Sequence, residues 1–243
     1  MPTLYPAIAA LAAYLLGSVA FAILVSRAFG LSDPRTYGSG NPGATNVLRS
    51  GHKGAAGLTL LLDALKGYVP VLLVQQFGAP YGLGEGTEAL VALAAFLGHL
   101  WPVFFKFKGG KGVATAAGAI FGLNPLLGLA TLATWIIIAA FFRYSSLAAL
   151  VSAVFAPFYQ LLFWGAGPAA GAIALMGLLL VWRHTANIQK LLKGTETKLG
   201  QKKSDAPAAH PAAHAAHPHP HAHSHSHASK HAPKHGHKGG AKR

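Results

Sequence analysis

The polar side chains in this 243-residue chain that are able to do chemistry are concentrated in four short patches. The first runs Tyr37-Gly-Ser-Gly-Asn-Pro-Gly-Ala-Thr-Asn-Val-Leu-Arg49. Its letters satisfy G-x-G-x-x-G, but a dinucleotide fold needs a strand before that motif and a βαβ unit around it. Long apolar runs flank it here, so that reading is rejected. The mechanics of a Gly-rich loop remain. Glycines turn tightly and bring backbone N–H groups together, and a helix starting near Thr45 adds its own unbonded N–H groups. Gly38, Ser39, Gly40, Asn41, Gly43, Thr45 and Asn46 are therefore candidates for holding an anion, against a plain turn between helices. Arg49 follows about one turn later and can pair with a phosphate through two hydrogen bonds.

The second patch is Gly98-His-Leu-Trp-Pro102 followed by Lys106-Phe-Lys-Gly-Gly-Lys-Gly-Val-Ala-Thr115. It is not a Walker A loop, because Phe105 stands where that motif has its first glycine. Lysine supplies point charge and three rotatable donors, which suits a phosphate. Lys108 and Lys111 are the candidates, and the competing reading is an anchor for acidic lipid headgroups. The third patch, Arg143-Tyr-Ser-Ser146, by itself reads as a basic turn with an N-cap serine. In the fourth, Arg183-His-Thr-Ala-Asn-Ile188, His184 and Asn187 are three apart at a helix end and face one way. A histidine there can also act simply as a C-terminal cation.

Several chemistries are excluded. No pair of acids suggests hydrolysis, no H-E-x-x-H or other metal spacing appears in the body, and no G-x-S-x-G elbow is present. With no cysteine there is no thiol nucleophile. None of His52, His99 and His184 has an acid five residues later, so the H-x4-D signature of the common glycerolipid acyltransferases is absent. No cofactor is expected. An excess of phosphate-binding groups points to an anionic substrate.

The elements that carry these patches are apolar. Only 11% of the chain is charged, against roughly 25% in an ordinary soluble domain. Residues 112–142 and 144–182 contain no Asp, Glu, Lys or Arg at all. A bilayer accommodates such runs, since one crossing needs about 20 apolar residues. A soluble enzyme is excluded, as is a nucleic-acid-binding protein with basic residues striped along one face. Residues 1–26 lack the basic start of a signal peptide and read as a permanent span.

Apolar segments fall near 4–26, 56–77, 87–105, 112–122, 126–142, 146–163 and 168–182. Segment 112–122, about 16 Å as a helix, is short against a hydrocarbon core of roughly 30 Å. Charge decides its placement. With seven crossings and the N-terminus outside, Arg27, Arg35, Arg49, Lys53, Lys106, Lys108, Lys111, Arg143, Arg183, Lys190 and Lys193 all face the cytoplasm, and the outer connections hold no base. The fold expected is an all-α integral membrane protein, a seven-transmembrane-helix bundle with a cytoplasmic C-terminus. Asp63 and Lys66 share a helix face inside the second span, as a neutralised structural pair or as part of the site. Residues 201–243 form a separate tail rich in His, Ala, Pro and Lys, expected to be disordered.

Together the patches resemble the bacterial PlsY family of membrane glycerol-3-phosphate acyltransferases. The resemblance rests on Gly38–Asn46, on His99–Thr115 with its Phe-Lys-Gly-Gly-Lys-Gly-Val-Ala-Thr, on Arg183-His-x-x-Asn-Ile with Gly194-Thr-Glu196, and on Leu62-Asp-Ala-Leu-Lys-Gly67. It covers roughly residues 4–200 and implies transfer of an acyl group from acyl phosphate to sn-glycerol 3-phosphate, at the cytoplasmic face of the inner membrane. It also implies coupling to a phosphate:acyl-carrier-protein acyltransferase that supplies the donor, and no nucleic acid. On this reading the Gly38–Asn46 loop holds acyl phosphate. Arg49, Lys108 or Lys111, Ser146, His184 and Asn187 hold glycerol phosphate, with His184, Asn187 and Arg49 closest to the chemistry. A transporter of an organic phosphate and an acyltransferase using a thioester donor are the rivals. A transporter would place polar groups near the midplane.

Overall fold

A computed structural model describes residues 4–201, and every regular element among them is helical. The expectation for the His-rich tail falls on residues outside those described, apart from Gln201.

The helices are α1 (Leu4–Gly17), α2 (Phe21–Ala28), α3 (Ala44–Leu48), α4 (Lys53–Phe77), α5 (Glu85–Leu100), α6 (Val113–Leu123), α7 (Pro125–Phe142), α8 (Ser145–Phe163), α9 (Pro168–Arg183) and α10 (Thr185–Leu192). Their ends have local causes. His52 accepts the Ala55 N–H at 3.2 Å and opens α4. Asn124 accepts the Leu126 and Leu127 N–H groups at 3.0 and 3.1 Å, with Pro125 in the first helical position, so one dipeptide ends α6 and starts α7.

Among the described residues, five stretches are long and apolar enough to cross a membrane: Leu4–Ala28, Lys53–Phe77, Glu85–Phe105, Pro125–Phe142 and Ser145–Phe163. Helices α9 and α10, bent by 58° at His184, make a sixth if taken as one span. The seventh expected crossing is α6, with only 11 residues.

Packing shows how so short a helix finds its place. A Cβ on Gly67 would collide with the Thr115 carbonyl, and one on Gly118 with the Ala64 carbonyl. Gly122 faces Tyr68 and Val71 in the same way. Helices α4 and α6 therefore run side by side in the same direction at backbone contact. The start of α6 lies level with residue 63 of α4, about 15 Å along from Lys53. Helix α6 is short because it begins deep, and the loop before it is recessed into the bundle.

The same small-residue contact joins α1 to α5, where Gly17 meets the Ala95 carbonyl and Gly98 the Tyr14 carbonyl. Without a hydrophobic drive between helices in lipid, such close approach supplies the dispersion contacts that hold a bundle together. Large apolar side chains point outward instead, with Phe141 82% and Leu178 69% exposed.

The first span is not continuous. Helix α1 ends at Gly17 and α2 begins at Phe21. The Ser18 hydroxyl bonds back to the Tyr14 carbonyl at 2.8 Å, and the Val19 carbonyl accepts both the Phe21 N–H at 3.1 Å and Lys66 Nζ from α4 at 2.7 Å. No proline or polar run in the sequence marks this break.

Candidate active site

The Gly-rich loop is held from inside. Gly38 and Gly40 have φ of 59° and 68°, the left-handed region that a side chain disfavours. Asn46, only 2% exposed, accepts the Ser39 N–H at 3.0 Å and donates to the Pro34 and Tyr37 carbonyls at 2.6 and 3.1 Å. Its amide is thus spent on shaping the loop. A Cβ on Gly38 would strike the Asn46 amide oxygen, which explains the glycine there.

Much of the expected N–H cradle is also used internally. Gly40 donates to Tyr37, Gly43 to Asn41, and Asn46 and Val47 both donate to Gly43. Among the described residues the Gly38, Ala44 and Thr45 N–H groups have no acceptor, so the anion-seeking part of the loop narrows to Gly38 and the start of α3. Sequence reasoning passed over Ala44 because only its backbone matters. The Thr45 hydroxyl lies 3.2 Å from that of Ser145, joining this loop to the start of α8.

The lysine loop separates its two candidates. Lys108 is exposed, whereas Lys111 is half-buried and hydrogen-bonds to Asn187 Oδ1. The Gly109 and Gly110 carbonyls accept the Arg183 guanidinium at 2.9–3.2 Å. Trp101 and Trp182, with ring centroids 6.0 Å apart, bring the ends of α5 and α9 together beside it.

Glu196 joins the third and fourth patches. Its Oε1 accepts the Ser146 hydroxyl and the Asn187 Nδ2, each at 2.8 Å. The segment carrying it is tied to the α7–α8 turn. Leu199 donates to the Arg143 carbonyl at 2.6 Å, Arg143 Nη2 donates to the Leu199 carbonyl at 3.1 Å, and Lys198 stacks over Tyr144. His184, 2% exposed, places Nδ1 2.8 Å from the Leu180 carbonyl. That carbonyl can only accept, so Nδ1 carries the proton and Nε2 the lone pair. The sequence places Glu196 in the Gly194-Thr-Glu196 motif but gives it no role, since its partners Ser146 and Asn187 come together only in the fold.

The four patches thus close into a ring: Thr45 to Ser145, Ser146 to Glu196, Glu196 through Asn187 to Lys111, and Gly110 back to Pro42 across a small cavity. Burial pushes the Lys111 ammonium down to about 8. Glu196 opposes that fall, while Lys190, Arg49 and Arg183 add to it. Arg49 is exposed but lies within electrostatic reach of Lys111. The result is a basic basin, tempered by one carboxylate, beside a pair of unbonded N–H groups.

A family model described as glycerol-3-phosphate acyltransferase matches residues 7–194. The chain belongs to the glycerol-3-phosphate acyltransferase family. Two named relatives are the glycerol-3-phosphate acyltransferases of Ralstonia nicotianae and Ralstonia pickettii. The first is 68% identical over 194 residues, covering 80% of this chain and 94% of the relative. The second is 64% identical over 205 residues, covering 84% and 99%. Among solved structures, the glycerol 3-phosphate form of PlsY (YgiH), an integral membrane glycerol 3-phosphate acyltransferase, superposes with a TM-score of 0.75 at 38% identity, covering 81% of this chain and 96% of that one. Its lysophosphatidic acid form gives 0.73 at 36%. This glycerol-3-phosphate acyltransferase is therefore of the PlsY type, a multi-pass membrane acyltransferase.

Proposed function

We propose that this PlsY-type enzyme transfers the acyl group of an acyl phosphate to sn-glycerol 3-phosphate, giving 1-acyl-sn-glycerol 3-phosphate and inorganic phosphate, the first acylation in bacterial phospholipid synthesis. The observation that carries the reading is the juxtaposition of two anion-seeking features, the Ala44–Thr45 N–H pair and the Lys111 basin. A reaction between two phosphate-bearing substrates needs two such sites side by side. The solved relatives named for their glycerol 3-phosphate and lysophosphatidic acid forms support substrate and product of this kind.

In this reading the loop Gly38–Asn46 seats the acyl phosphate, with Asn46 shaping it. Lys111, Arg49, Ser146, Asn187 and His184 seat the glycerol phosphate, and Lys108 adds charge at the mouth. The glycerol hydroxyl attacks the acyl carbon, and the bond from that carbon to the phosphate oxygen breaks. The leaving phosphate keeps the electron pair, stabilised by the loop N–H groups. A phosphate oxygen takes the hydroxyl proton. Because the donor is an activated anhydride, holding the two substrates in contact supplies much of the rate, by an effect of up to about 7–11 kcal/mol.

The basin gathers Arg49, Lys111, Arg183 and Lys190 at one set of helix ends, which supports a seven-crossing topology with the N-terminus outside and the site facing the cytoplasm of the inner membrane. Residues 1–200 form the acyltransferase domain and 201–243 a tail outside it. A soluble phosphate:acyl-carrier-protein acyltransferase would deliver the donor to that face. The deciding experiment gives the purified protein glycerol 3-phosphate with acyl phosphate, acyl-CoA or acyl carrier protein thioester. Lysophosphatidate is expected from acyl phosphate alone, and turnover with either thioester overturns the donor assignment.

Lys111 adds a pH signature. Its ammonium is depressed to about 8, so the charge that draws phosphate is present below that pH and lost above it. The KM for glycerol 3-phosphate is expected to climb as pH rises through about 8, with the KM for acyl phosphate flat. Lys111→Arg, which keeps its charge, should remove the climb, and an unchanged profile in that variant would assign the titration elsewhere.

A further inference from the structure

Asp63, Lys66, His99 and Thr115 form a chain of polar side chains buried among α4, α5 and α6, none more than 8% exposed. Lys66 Nζ lies 2.8 Å from Asp63 Oδ1 and also donates to the Val19 carbonyl at the break in the first span. His99 Nδ1 stands 3.7 Å from the same Asp63 oxygen and 3.2 Å from the Thr115 hydroxyl. Nothing in the acyl transfer described above uses these four residues. Buried charge in a membrane bundle that served no purpose would be a liability, since apolar packing of the same volume is often as stable.

The position of His99 suggests the purpose. Its backbone carbonyl accepts the Gly110 N–H at 3.1 Å. Its ring lies against Gly110 so closely that a Cβ there would collide with Nε2. A Cβ on Gly109 would collide with the His99 and Leu100 carbonyls. The glycine pair is thus pressed onto His99 on one side and clamped by Arg183 on the other, immediately before Lys111. Thr115 and Asp63 hold the ring that forms the floor.

We propose that His99 is a positioning residue: the buried Lys66–Asp63–His99–Thr115 chain seats the Gly109–Gly110 pair and thereby fixes where Lys111 presents its ammonium to the glycerol phosphate. The inference rests on the reading of Lys111 as a phosphate-holding residue. It predicts a defect in glycerol phosphate binding from groups that never touch the substrate.

The test compares steady-state kinetics of purified variants with both substrates varied. His99→Ala is expected to raise the KM for glycerol 3-phosphate about tenfold, with kcat and the KM for acyl phosphate within about twofold, because a misplacement of under 1 Å already costs that much. Gly110→Ala should raise the same KM, yet add much less in the His99→Ala background, where the ring it strikes is gone and only the looser 3.1 Å approach to the Pro42 carbonyl remains. Gly109→Ala meets backbone rather than the ring, so its defect should persist in both backgrounds. Additive effects of His99→Ala and Gly110→Ala, or a fall in kcat with KM unchanged, would overturn the proposal.

Should His99→Ala not accumulate as folded protein, Thr115→Val removes only the hydroxyl and should raise the KM about threefold, with Thr115→Ser restoring it; a KM unchanged by Thr115→Val overturns the proposal. Lys111→Ala separates the two levels. If it leaves the KM unaltered, the phosphate-holding reading fails. If it raises the KM while His99→Ala does not, the reading stands and the positioning role fails.

Discussion

Glu196→Ala is expected to lower kcat/KM by about 10²-fold, although the side chain is a single acid in a basic basin. The carboxylate oxygen Oε1 is the shared acceptor of Ser146 and Asn187, at 2.8 Å from each. Asn187 in turn accepts Lys111. Removing the carboxylate frees two donors and leaves three groups of the proposed phosphate site without a common anchor. Ser146 and Asn187 are buried, and buried donors without an acceptor cost about 1–3 kcal/mol each, so the groups will rearrange and no longer converge. Glu196→Gln keeps an acceptor oxygen of nearly the same shape but loses the charge that offsets Lys111. It should fall between the wild type and the alanine variant, with the larger effect on the KM for glycerol 3-phosphate. Circular dichroism and melting in detergent separate a local loss from unfolding. Activity within about threefold of wild type for Glu196→Ala would show that the ring does not depend on its carboxylate.

Gly118→Val should have the largest effect on the fold. Even the first carbon of a side chain at 118 would enter the Ala64 carbonyl, and the contact is backbone, so no rotamer change relieves it. Overpacking of a close-packed core costs about 1–3 kcal/mol, occasionally more. Here the displaced element is α6, which starts at Val113, two residues after Lys111. Forcing α6 away from α4 therefore moves the lysine loop as well. The expected result is a clear drop in melting temperature together with loss of turnover, whereas Gly171→Val, which meets nothing within 4 Å, should leave both nearly unchanged. A Gly118→Val protein that melts like wild type would mean that α4 and α6 are not held at backbone contact.

Much of the site could be read from residues alone because glycine, asparagine, serine and lysine stand out against long apolar runs. Arg49, Lys111, His184 and Asn187 stand out by such contrast, Ser146 only through the family resemblance, and their patches come together in space. What escaped was relational. Glu196 lies 50 residues from Ser146, and its place depends on the Arg143–Leu199 tether, which no local pattern shows. Asn46 and a substrate-binding asparagine look alike in sequence, since only the fold reveals that its amide points inward. Lys108 and Lys111 share one loop, and burial alone separates them. Helix boundaries came within a few residues because Asn124-Pro125 and Gly167-Pro168 are strong local signals. The depth of α6 did not, since it follows from the register of Gly67 and Gly118 against the neighbouring backbone.

The interruption at Ser18–Ala20 has a bearing on how the protein is made. The Val19 carbonyl keeps a local partner in the Phe21 N–H at 3.1 Å, and its second donor, Lys66, lies 47 residues downstream, made after the first span is complete. Lys66, for its part, would enter the bilayer with only Asp63 to neutralise it. The break in the first span therefore offers the buried ammonium of Lys66 an acceptor that is already in place when α4 is made.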